Sequence, residues 1–164
     1  MPNEYQKLLE YALRIGSKKR YTVHEMQVKL EQFFKKRKFT EEEMMGQVVE
    51  RLTELEYLGD ESFVRDFVSQ RLKLKPKGQF MLKRELTQKG IKKELCEEVL
   101  EEIEIDEDAV ALELLEKVMG RWEKLPVQKG KEKAYRYLAS RGFRRDSIYK
   151  SLEQCYNPRV SGIN

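Results

Sequence analysis

Three turns constrain this chain more than anything else in it. FFKKRKF (residues 33–39), ELTQKGI (85–91) and YLASRGF (137–143) end on Phe39, Ile91 and Phe143, which lie 52 residues apart. The apolar positions around them keep the same step. Leu30, Leu82 and Ala134 correspond, as do Phe34, Leu86 and Leu138. Beyond the turn come Met44, Cys96 and Ile148, then Val48, Leu100 and Leu152. Upstream, Tyr11, Phe63 and Leu115 match, followed by Ile15, Phe67 and Met119. A period of this size is the mark of a repeat protein.

The apolar positions step by four or five in helical phase and do not alternate, so the elements are helices. Each unit divides into three. The spacing predicts helices over 4–16, 22–36 and 41–57, then 60–74, 77–88 and 92–104, then 106–124, 129–140 and 145–155. Thr22 with Glu25, and Thr40 with Glu43, have the form of capping boxes, and Asp60 is placed to cap the helix it precedes. Gly90 and Gly142 stand where a helix stops and the backbone turns to positive φ. The first unit has Lys38 there, at a cost of roughly 1 kcal/mol for a residue with a β-carbon, so its turn is expected to differ. One three-helix unit of about 50 residues is marginal alone, and stacking units buries more surface. The fold class expected is all-α: three tandem three-helix repeats of about 52 residues forming an elongated, curved array. The repeats are expected over 1–57, 58–105 and 106–156, with a flexible C-terminal tail over 157–164.

Charged residues make up 38% of the chain and only four prolines interrupt it, which suits long solvated helices. Neither a signal-peptide pattern nor an apolar run of about 20 residues is present. Cys96 and Cys155 stand far apart and read as reduced thiols, Cys96 as a buried one, so a cytoplasmic protein without membrane contact is expected.

The charges are segregated. Residues 71–93 hold nine basic side chains and one acid, Glu85, whereas residues 94–108 hold nine acids and no base. The turn and second helix of the middle unit are basic through Arg71, Lys73, Lys75, Lys77, Lys83, Arg84 and Lys89. Lys129, Lys131, Lys133, Arg136 and Arg141 repeat the theme in the third unit, and Lys18 to Arg20 with Lys35 to Lys38 do so in the first. Such runs are commonly solvated faces. Their recurrence at one place in the repeat points to a shared basic surface, with acidic third helices behind it. Helix-turn-helix reading of a DNA groove fits poorly, because the third helix of the middle unit, KKELCEEVLEEIEI, would set acids against phosphates, and only the third unit, with Arg144, Arg145 and Lys150, has the charge for it. Contact with backbone phosphate from the second helices fits better.

The chemistry of catalysis is absent. His24 is the only histidine and has no acid or nucleophile fixed beside it by sequence, so packing or solvent is its expected role. The two cysteines and one histidine cannot form a zinc cluster at these spacings. Neither a G-x-x-x-x-G-K-[ST] nor a G-x-G-x-x-G loop occurs. Trp122 reads as a packing residue. The chain is expected to bind and not to catalyse, with no cofactor.

Residues 57–71, YLGDESFVRDFVSQR, and 77–91, KGQFMLKRELTQKGI, resemble the signature of the RecX regulatory proteins. That signature has an aromatic-Leu pair, an acidic pair, Phe-x-x-x-Phe-Val, an Arg three residues on, then Gly and a basic helix ending in Glu-Leu-x-x-Lys-Gly-Ile. The third unit is more diverged, and the first lacks the turn glycine. Lys75-Pro76-Lys77 stands where the family often carries a further Arg before the Gly. The resemblance implies a negative regulator of RecA recombinase in DNA repair and the SOS response. It would bind the RecA filament on single-stranded DNA along its groove and suppress ATPase, strand exchange and co-protease activity. On this reading Arg71, Lys75, Lys77, Lys83 and Arg84 form the contact surface, Lys129, Lys131 and Arg136 continue it, and the chain acts as a monomer. Arg71 has a structural alternative, as a cap on the carbonyls ending its own helix. The competing functional reading is a helical protein that binds the backbone of single- or double-stranded DNA and acts only by competing for it. A third reading, a peptide- or protein-binding solenoid, has no link to recombination.

Overall fold

The structure, a computed structural model, describes residues 1–157. Of the tail expected over 157–164, all but Asn157 lies outside the described residues. Three helices make the first repeat: α1 (Glu4–Lys18), α2 (Val23–Lys36) and α3 (Glu43–Glu54). The second has α4 (Asp60–Leu74), α5 (Gln79–Gln88) and α6 (Lys93–Ile103). The third has α7 (Glu107–Val118), a 3-10 turn over Met119–Trp122, α8 (Val127–Ser140) and α9 (Arg145–Tyr156). No strand occurs among the described residues. The all-α fold and its three-helix repeat are as the sequence predicts. By packing, the chain forms two compact units: residues 1–66 with 86–96, and residues 67–85 with 97 onward.

Most of the repeat positions lie in the core, with Tyr11, Ile15 and Met119 half-buried against it. Leu30, Leu82, Ala134, Leu86 and Leu138 are fully buried, and Met44, Cys96, Ile148 and Val48 nearly or wholly so. In the first unit Leu8, Ala12, Met26 and Leu52 close around them, with Tyr11 stacked on Phe33 at 4.2 Å between ring centres. In the second unit Leu114, Leu115, Val118 and Phe143 surround Ala134 and Leu138. Trp122 packs edge-on against Tyr137, as its packing role requires.

All three turns are built alike. Phe39, Ile91 and Phe143 donate their amides to the carbonyls of Phe34, Leu86 and Leu138, and Lys38, Gly90 and Gly142 to those of Lys35, Thr87 and Ala139. These are paired Schellman bonds, with an apolar residue folded back on the helix. Lys38 takes φ 56°, beside 88° for Gly90 and 82° for Gly142. The first turn therefore does not differ in conformation, and Lys38 bears the cost of the left-handed region.

What separates the turns is what lies against them. In the first unit the Lys89–Gly90 turn sits on the start of α2: the Thr22 hydroxyl donates to the Lys89 carbonyl at 2.6 Å, and Gly90 faces His24. In the second unit the Arg141–Gly142 turn sits on the start of α5: the Gly78 amide donates to the Arg141 carbonyl at 2.8 Å. A β-carbon on Gly142 would lie 2.5 Å from that of Met81. The turn glycine of each later repeat thus admits the second helix of the repeat before it.

Carboxylates complete both junctions. Asp60 was expected to cap its own helix, yet its Oδ1 accepts the Val23 amide of α2 at 2.9 Å. Glu107 Oε1 likewise accepts the Gln79 amide of α5 at 3.0 Å. Each satisfies a first-turn donor that its helix leaves open. The Thr22–Glu25 capping box forms. The one expected at Thr40 does not: α3 begins at Glu43, and the Thr40 amide goes to Glu4 Oε2 at 3.2 Å. The seventh helix stops short of the expected 124 because the backbone tightens at Met119–Trp122, around Gly120.

Candidate interaction surface

The eight cations singled out by sequence all fall in the second compact unit, where the structure sorts them by what they touch. Arg71, in the last turn of α4, lies 3.3 Å from Glu85 of α5 and covers the Phe67 ring at 4.7 Å. Lys77, in the loop before α5, hydrogen-bonds the other oxygen of Glu85. Only 17% of the Lys77 side chain and 20% of that of Glu85 reach solvent. Burial pushes the Glu85 pKa up, but the hydrogen bonds and charges of Lys77 and Arg71 outweigh it and hold the carboxyl below its ordinary value. The one acid in the basic run is a clamp that fastens α4, the loop and α5 together.

Lys83 bonds Glu97 across to α6, so the acidic third helix is stitched to the basic second one and is not simply its back. Lys75 and Arg84 are exposed on the loop and on α5. On α8, Lys129 and Arg136 are exposed and Lys131 is half-buried. Lys75, Arg84, Lys129 and Arg136 are the exposed members of the eight, whereas Arg71, Lys77 and Lys83 are tied to acids within their own unit.

A second polar cluster went unseen in the sequence. Glu107 is 2% exposed and, besides capping α5, accepts Arg144 Nε at 2.6 Å. Its neighbour Asp108 accepts the Ser147 hydroxyl and, at 2.9 Å, Lys150 Nζ of α9. The hydrogen bonds from Ser147 and Lys150 hold the Asp108 carboxyl below its usual range, and Glu107 raises the Arg144 guanidinium. An acidic pair opening α7 was a visible signal, but its partners lie about forty residues away in sequence. No helix among the described residues is long and apolar enough to cross a membrane.

Comparison with known proteins agrees with the repeat. The description "RecX, second three-helix domain" matches residues 60–100, and "RecX, third three-helix domain" matches residues 106–152. A regulatory protein RecX from Chlorobium phaeobacteroides (strain BS1) is 33% identical over 156 residues, spanning 92% of this chain and 95% of its own. One from Bacillus subtilis (strain 168) is 32% identical over 120 residues, which is 73% of this chain and 46% of that longer protein. The crystal structure of RecX from Lactobacillus salivarius superposes with a TM-score of 0.77 at 22% identity, over 92% of this chain and 95% of that one, and so shares the fold. With a three-helix repeat, matches to two of its domains and a relative aligned at this identity over nearly the whole of both chains, the chain belongs to the RecX family of regulatory proteins.

Proposed function

We propose that the chain is a non-enzymatic modulator of a RecA-type recombinase in the cytoplasm. It binds the recombinase filament on single-stranded DNA as a monomer and lowers ATP hydrolysis, strand exchange and co-protease activity, restraining recombinational repair and the SOS response. The observation that carries this reading is 33% identity to a RecX regulatory protein across nearly the full length of both chains. The outward cations Lys75, Lys129 and Arg136 support it as groups for an anionic partner surface. Arg71 and Lys77 serve it indirectly, by fixing through Glu85 the loop that carries Lys75.

The test is DNA-dependent ATP hydrolysis by the recombinase, with this protein added far below the concentration of DNA nucleotides. Loss of ATPase at that ratio is the expected result. Loss only once the DNA is saturated would replace this reading with simple competition for DNA.

A further inference from the structure

Between α5, α6 and the start of α9, the second unit carries an open groove of about 520 Å³. Its apolar surface comes from Phe80, Leu100 and Ile105. Phe80 is 67% exposed, although it sits in the first turn of α5 between core positions. Phe80 stands exposed beside the half-buried Ile105 and the buried Leu100, so the groove has one open apolar wall that a partner side chain can cover.

The polar side chains around the groove say what kind of molecule. Glu97, Glu101 and Glu104 line it together with Lys83 and Arg144. Both cations are committed, Lys83 to Glu97 and Arg144 to Glu107. Glu101 and Glu104 have no ion-pair partner among the described residues and are exposed. The last carbonyls of α6, which ends at Ile103, add negative partial charge at the same place. Glu104 is held there in a left-handed conformation, φ 52°. The carboxylates of Glu101 and Glu104 disfavour phosphate there and favour a cation beside an apolar group.

We propose that this groove docks a protein segment in which apolar side chains alternate with lysine or arginine. The apolar groups cover Phe80, Leu100 and Ile105, and the cations meet Glu101 and Glu104. The groove is separate in chemistry from the outward cations and binds the opposite kind of surface. It rests on the recombinase reading only for the assignment of that segment to the recombinase filament.

Two arms test it, both on the full chain and with Phe80→Ala and the pair Glu101→Lys, Glu104→Lys. In the first, a short synthetic Leu/Lys peptide is titrated against labelled protein and the backbone amides are followed by NMR, with a Leu/Glu peptide as control. The Leu/Lys peptide should move the amides of Phe80, Leu100 and Glu104 in the parent chain and neither variant should respond. Unmoved amides, an equal response to Leu/Glu, or an unchanged response in the variants overturns the proposal. In the second, filament affinity should fall about tenfold or more in both variants, with unchanged melting temperature and undiminished binding to bare DNA. Full filament affinity in the variants would remove the assignment to the recombinase while leaving inhibition intact. Absence of filament binding by the parent chain would instead remove the recombinase reading, with the peptide arm still deciding the groove.

Discussion

A β-carbon on Gly90 would stand 2.3 Å from that of His24, although the two residues belong to successive repeats. Gly90→Ala therefore meets two obstacles, a left-handed backbone and a collision with a side chain held by its own helix. Together they are expected to destabilise the chain by about 3 kcal/mol. Lys38→Gly, at the matching turn of the first repeat, relieves the backbone cost and should leave stability equal or higher by up to about 1 kcal/mol. Urea denaturation of the two variants checks the contrast.

Glu85 links acid stability to the basic segment. Its carboxyl is held below the ordinary value in the folded chain, so the unfolded chain binds the proton more readily. The stabilisation is complete above about pH 4.3, the ordinary glutamate value, and is lost as pH falls through the folded value. Glu85→Gln should cost about 1–2 kcal/mol at neutral pH. It should also flatten the loss of stability as pH falls below about 4.3, as read by thermal melts on the acid side of that value.

Glu107 joins the second and third repeats through the Gln79 amide. Glu107→Ala leaves that amide and Arg144 without their buried acceptor and should cost about 2–3 kcal/mol. Glu107→Gln keeps an oxygen for the amide and should cost less. Hydrogen exchange at Gln79 separates this cause from general loosening, because protection there should fall in the alanine variant before protection in the α9 core.

The sorting of cations by contact predicts two kinds of charge-reversal variant. Lys75→Glu, Lys129→Glu and Arg136→Glu combined should weaken inhibition of the recombinase about tenfold or more with an unchanged melting temperature. Lys77→Glu places a carboxylate beside Glu85 and should cost about 2–3 kcal/mol of stability. ATPase inhibition and melting curves, measured on the same samples, distinguish the two.

The helices and their shared core were legible in the sequence because a buried position is a local signal repeated every few residues. Leu30, Leu82 and Ala134 announce themselves by spacing, and all three are fully buried. The contacts between repeats were not legible. Asp60 reads as a cap for the helix it begins, and nothing in its neighbourhood says that it accepts from Val23. Glu107 is an ordinary first-turn acid by the same standard. The basic run was visible as composition. That Arg71 and Lys77 are fastened inward depended on Glu85, the single exception in the run, whose exceptional charge was the available clue.

Lys38 sets the first turn apart from the other two in what it can receive. At each later turn a glycine receives the second helix of the preceding repeat; at the first turn the same backbone carries a side chain, which would obstruct such a helix. A helix packed on the first turn as α2 and α5 are packed on the later two would first require Lys38 to be replaced by a residue without a β-carbon. The first turn is thus closed to such a neighbour by one side chain and not by its backbone.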